Sequence, residues 1–152
     1  MVIIRACRKQ SIFMKTNQKR VYQYALIFLR KWGAEMKETI DSIITWHKKT
    51  FPDATLEGQL KKYAEETYEF MTSDVDLPEL ADMVIVCAGI FRFNRKLGSR
   101  FLETTYSICW EIGEYDMMEL WEAVEKKMEK NRKRVWNKTA EGTYHHENGI
   151  ED

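Results

Sequence analysis

The sequence predicts an all-α domain, a bundle of four to five helices. Three observations carry this. The 152 residues include only 7 Gly and 2 Pro, too few for a β-sandwich or barrel, which needs a turn signal roughly every ten residues. Apolar residues make up 44% and charged residues 32%, the balance of an ordinary soluble domain with a real core rather than of a disordered chain. From about residue 36 onward, apolar side chains recur at helical spacing.

The elements follow in order. Residues 1–35 read as a basic N-terminal extension. They carry eight Lys/Arg against one acid, Glu35, so the remainder of this neutral chain, with 16 basic and 23 acidic residues, has a net charge of −7. Within the extension, Val21–Trp32 is apolar enough for a short docked helix. A basic arm can contact nucleic acid through phosphates, but a loosely attached extension is the simpler reading, since Met36 opens the acidic part. The body, 36–136, begins with a helix over Met36–Thr50, with Ile40, Ile43, Ile44 and His47 at helical spacing. Phe51-Pro52-Asp53 ends it, because a residue before proline avoids the α region. A second helix is predicted over Glu57–Thr72, with Leu60, Ala64, Thr67 and Met71 on its apolar face and Lys62, Glu65, Glu66 and Glu69 opposite. Ser73–Asp76 is a polar loop, and Asp76 can cap a third helix with Pro78 in its first turn. That helix runs to about Asn94 or Lys96 and breaks at Gly98. Residues 100–112 suit either a helix or a strand. Gly113 separates them from a final strong helix over Met117–Val135, and 137–152 reads as a polar tail.

Some function classes are excluded at this stage. The longest nearly apolar run, Leu80–Phe91, spans 12 residues, too few to cross a bilayer, so no membrane partner is expected. No signal peptide is visible. Cys7, Cys87 and Cys109 are odd in number and widely separated, without CxxC or Cys/His metal spacing. This fits a reduced, cytoplasmic compartment.

The third helix carries the chemistry. Between Leu80 and Phe91 the only charged residue is Asp82, and Glu79 projects on the same side one turn earlier. Two carboxylates therefore stand on a helix apolar nearly all round, which is normally buried on most faces. A buried carboxylate costs several kcal/mol unless it is paired or binds a metal. The second helix offers Glu66 and Glu69 at i, i+3, with Glu65 adjacent. Taken alone, an E-x-x-E on a helix is most often a solvated face, Glu79 could answer only to the helix dipole, and Asp82 could be paired with an arginine. Together, E-x-x-E and E-x-x-D joined by a short loop can gather four carboxylates, which do not stay ionised without cations. Hard oxygen ligands suit Mg²⁺, or Mn²⁺, with waters and substrate phosphates completing the shell.

Glu65-Glu66-Thr67-Tyr68-Glu69 followed by Glu79-Leu80-Ala81-Asp82 resembles the motif pair of the MazG-like all-α nucleoside triphosphate pyrophosphohydrolases. Further segments extend the likeness over about 43–146 to a branch described as dATP/dGTP pyrophosphohydrolase-like. They are Trp46 with Phe51-Pro52-Asp53-Ala54-Thr55, Gly58-Gln59-Leu60, the K-x-x-x-N-x-x-R-x-W run of Lys127, Asn131, Arg134 and Trp136, and Gly142-Thr143-Tyr144-His145-His146. Each motif is short, and the specificity lies in their order and spacing. Residues 1–35 have no counterpart in it, and Ser99–Asp116 is longer than the usual link.

The resemblance implies hydrolysis of a nucleoside triphosphate, dATP or dGTP favoured, to the monophosphate and pyrophosphate by attack at the α-phosphorus, in nucleotide-pool control or house-cleaning. Glu66, Glu69, Glu79 and Asp82 would hold Mg²⁺, which lowers the pKa of a bound water. Glu65 or one of the four would take the proton. Lys127, Asn131, Arg134 and Lys62 would meet phosphates or sugar, and Trp46 or His47 would stack on the base. Taken alone, Lys127, Asn131 and Arg134 read as solvated positions, Trp46 as core, and His145 and His146 as tail. The family forms homodimers or dimers of dimers with helices from two subunits framing the site. The resemblance therefore implies a site completed by dimerisation, with which a third helix apolar all round is consistent. Two other readings compete: a nucleotide-binding regulatory protein on the same fold that does not hydrolyse, and a nucleic-acid-associated helical protein using the basic arm. Nucleic acid is the less expected partner.

Overall fold

The computed structural model describes residues 36–139 and 144–146. The expectations for 1–35 lie outside the described residues, and the body that follows the division at Met36/Lys37 is described by itself. Five helices form it: α1 (Ile40–Thr50), α2 (Leu56–Thr72), α3 (Leu77–Phe93), α4 (Arg95–Glu111) and α5 (Met117–Lys133). None of them is long and apolar enough to cross a membrane.

The helix starts follow capping chemistry. Helix α1 begins at Ile40, not Met36, because Thr39 and Ser42 form a reciprocal capping box. Thr55 caps α2 through the Gly58 amide, and Asp116 with Glu119 boxes α5. Asp76 stands at the N-cap of α3 but makes no side-chain cap bond. The break after α3 falls at Asn94 rather than Gly98. Asn94 adopts an extended conformation (φ −148°, ψ 102°), and its Oδ1 accepts the Leu97 amide to start α4. Gly98 lies inside α4, where a Cβ would come within 2.6 Å of the Phe91 ring. The ambiguous 100–112 stretch is helical.

Helix α3 is the axle. Helices α1, α2, α4 and α5 all pack against it, and Leu80, Ala81 and Met83 through Ile90 are buried. Its all-round apolar surface is thus covered within one chain and is no argument for a second subunit. Helix α2 is turned relative to the wheel reading. Tyr63, Glu66 and Phe70 face inward, while Ala64 is exposed and Met71 is 58% exposed. Tyr63 explains the choice: its hydroxyl reaches Thr105 on α4 at 2.9 Å and its ring meets Phe101. An ion pair of the buried Glu38 with the exposed Arg132 (2.9 Å) ties the start of α1 to the end of α5.

The polar tail also contains structure. Trp136–Lys138 (β1) pairs antiparallel with Tyr144–His146 (β2), Trp136 opposite His146. Strands of three residues are too short to show an alternating pattern that could be read in advance.

Candidate active site

Helices α1, α2, α3 and α5 and the two strands enclose a cavity of about 550 Å³. Every candidate residue from the sequence lines it: Trp46 and His47 from α1, Lys62, Glu65, Glu66 and Glu69 from α2, Glu79 and Asp82 from α3, Lys127 and Asn131 from α5, and Arg134 just beyond α5. Spacing on α2 explains the four residues it contributes. Residues 55, 58/59, 62, 65/66 and 69 recur every three to four positions and present one face.

At one end the carboxylates gather. Oxygens of Glu66, Glu79 and Asp82 lie within 4.8 Å of one another. Three carboxylates that close, in a partly dry setting, fit a hard divalent cation by charge and by donor type. Glu69 lines the same cavity but stands outside this trio, at an exposed position. Glu65 is likewise exposed.

Cations answer this charge. Lys127 Nζ lies 2.5 Å from Asp82 Oδ2, and Lys62 Nζ lies 2.7 Å from Glu66 Oε1 and 3.7 Å from Glu65. The titration behaviour follows from burial and crowding. Glu66, 5% exposed, is pushed up to about 7, first by burial and then by Asp82 and Glu69, although Lys62 opposes the shift. Burial also raises Glu79, helped by Asp82 and Glu69, and raises Asp82 against the opposing pull of Lys127. Burial works against the charge of Lys62, yet Glu66, Glu65 and Glu69 together hold its ammonium above the usual range.

A consequence is measurable. Below pH 7 the Glu66 carboxyl is mostly protonated, and a cation must displace that proton. Affinity for a divalent cation is expected to rise about tenfold per pH unit up to pH 7 and then to level off, with about one proton released at pH 6 and almost none at pH 8.5. Calorimetry in two buffers of different ionisation enthalpy reads this directly. An affinity flat across pH 6–8 would contradict it.

The opposite end is aromatic. Phe51 makes edge contacts with Trp46 and Trp136 at 5.3 and 5.1 Å, and tilts onto Tyr144 at 4.7 Å. Trp136 also meets His146, at 5.6 Å. Between the two ends, Asn131 is buried. Its Oδ1 accepts from Arg134 Nη1 at 3.0 Å, and its carbonyl accepts from Trp136 Nε1 at 3.0 Å. Asn131 thereby connects the end of α5 to β1.

His47 is not an open stacking face. It is 4% exposed, hydrogen-bonded to Arg92 and Gln59, and its pKa is lowered to about 4 by burial and by Arg92. The imidazole is neutral at physiological pH. Sequence reasoning assigned no role to Gln59, Arg92, Gly89, Tyr144 or His146. Gln59, Tyr144 and His146 carried a signal through the motif segments they belong to, and Gln59 also lies one turn before Lys62 on the same face; Arg92 and Gly89 carried none.

Scanned against protein-family models, the chain matches none, and searches of curated proteins and of solved structures returned no match either.

Proposed function

We propose that the protein hydrolyses nucleoside triphosphates to the monophosphate and pyrophosphate, in the manner of the MazG-like enzymes its motifs resemble, and so serves nucleotide-pool control or house-cleaning. The observation that carries this reading is the two-ended cavity. Carboxylates able to hold a cation lie at one end with Lys62, Lys127 and Arg134 beside them, and the other end is a wall of aromatic rings. A magnesium-bearing triphosphate and a base have these two needs.

Glu66, Glu79 and Asp82 would hold Mg²⁺, with Glu69 at the rim. Bound there, the ion would neutralise phosphate charge and acidify a water. The protein's own groups do the rest. Lys127, engaged with Asp82 in the free protein, is within reach of an incoming phosphate and exchanges one anionic partner for another. Arg134 offers a planar pair of donors to phosphate oxygens. Glu65, exposed beside Lys62, takes the proton from the attacking water. Trp46 and Trp136 bound the space for the base. A homodimer or dimer of dimers belongs to the same proposal. Tyr68 and Met71, exposed on α2, are apolar side chains that such a contact would remove from water, and sedimentation equilibrium reads the assembly directly.

Incubation with Mg²⁺ and the canonical deoxynucleoside and ribonucleoside triphosphates tests the reaction. Pyrophosphate and monophosphate are expected, with release abolished by EDTA and restored by Mg²⁺ or Mn²⁺. Orthophosphate as the primary product, or turnover that survives EDTA, would overturn the proposal.

A further inference from the structure

One polar side chain in the cavity is oriented from behind by a chain of donors. Arg92 Nη1 lies 3.2 Å from His47 Nδ1. A guanidinium has only N–H donors, so Nδ1 accepts and the imidazole proton sits on Nε2. Arg92 cannot turn away, because it also donates to the carbonyls of Phe51 at 2.7 Å and Pro52 at 3.1 Å. The Nε2–H of His47 donates in turn to the Gln59 side chain, and the acceptor of that amide is Oε1.

Gly89 on α3 makes the room. A Cβ there would stand 2.1 Å from Gln59 Oε1 and 3.0 Å from His47 Nε2. The acceptor end of Gln59 and the donor end of His47 are thus seated together against the bare α-carbon. With Oε1 committed, what Gln59 can offer a ligand in the cavity is its amide N–H. Gln59 precedes Glu66 by seven residues, two helical turns, or about 10 Å along α2. That is the span of a nucleoside monophosphate from its phosphate to its base.

We infer that Gln59 reads the edge of the nucleobase as a donor only, and so selects keto bases (guanine, thymine, uracil) over amino bases (adenine, cytosine). The inference rests on the nucleotide reading above and sharpens its substrate. Guanine O6 and thymine O4 accept a hydrogen bond, whereas the matching positions, adenine N6 and cytosine N4, are amino donors; N7 accepts in both purines and does not discriminate. Donor facing donor leaves both groups unpaired in a partly dry pocket.

The test is competition binding with unreactive α,β-imido analogues of dGTP, dTTP, dATP and dCTP in Mg²⁺, alongside hydrolysis of the natural nucleotides. The keto analogues are expected to bind at least about tenfold tighter. Q59L should bring keto and amino affinities within about threefold of each other. G89A, which evicts Gln59 from its seat without touching the ligand, should do the same, with melting curves confirming that each variant is folded. Equal or amino-favouring binding by the wild type, or an unchanged ratio in Q59L, would overturn the inference. The two readings fail separately. Keto preference in binding without pyrophosphate release removes the hydrolase and keeps Gln59 as the reader, while pyrophosphate release without base preference does the reverse.

Discussion

Replacing Asp82 by alanine is expected to lower pyrophosphate release by about a hundred- to a thousandfold, a loss on the scale seen when a principal transition-state charge stabiliser is removed. Asp82 has two functions at once. Its oxygens belong to the trio with Glu66 and Glu79, and one of them holds Lys127 at 2.5 Å. On the proposed function the substitution removes a cation ligand and releases the lysine that would face the phosphates. The fold should survive, because Asp82 is only half-buried and its departure relieves crowding on Glu66 and Glu79. Glu69→Ala should be milder, since Glu69 stands outside the trio. Steady-state kinetics with saturating Mg²⁺ ranks the two. A loss under about tenfold for Asp82→Ala, in a protein that melts normally, would remove the carboxylate trio from the mechanism.

The second large effect is on stability. Phe70→Ala should destabilise the domain by about 3–5 kcal/mol, the usual cost of emptying a large aromatic site in a core. Phe70 is fully buried, one turn past Glu66 on the inward face of α2, and α2 packs chiefly on α3. The loss is a large share of the roughly 5–15 kcal/mol that holds a domain together. It should also weaken metal binding, because Phe70 sets the rotation of α2 that aims Glu66 inward. Met71→Ala is the contrast. The helical wheel placed Met71 on the buried face, yet within the chain it is exposed, and at a concentration where the chain is monomeric its loss should cost under about 0.5 kcal/mol. Urea titration of both variants separates them, and a Met71 cost equal to that of Phe70 would mean α2 is turned the other way.

That contrast shows what the sequence carried and what it did not. The helices were legible because apolar side chains recur at helical spacing, but their starts were less so: Thr39, Thr55, Asn94 and Asp116 set them through side-chain caps, whereas the cap expected at Asp76 makes no such bond. The carboxylates were legible because Asp82 interrupts an apolar run and so calls for compensation. The rotation of α2 was not, since Leu60, Ala64, Thr67 and Met71 make a plausible apolar stripe and only the long-range pairing of Tyr63 with Thr105 decides against it. The end of α3 was misplaced because Gly98 is the conspicuous helix breaker, whereas Asn94 acts through its own cap. Gln59 was missed for a related reason. Its orientation comes from His47 and Arg92, separated from each other by 45 residues, and from the absence of a side chain at Gly89. A periodicity argument does not register a hydrogen-bond chain that crosses three helices.

Hydrolysis in ¹⁸O-labelled water, followed by ³¹P spectroscopy of the products, tests the central claim most directly. With Mg²⁺ and dGTP the account predicts one labelled oxygen in the monophosphate and unlabelled pyrophosphate, since water attacks the α-phosphorus. Label in pyrophosphate or orthophosphate, or no turnover of any nucleoside triphosphate, would contradict it.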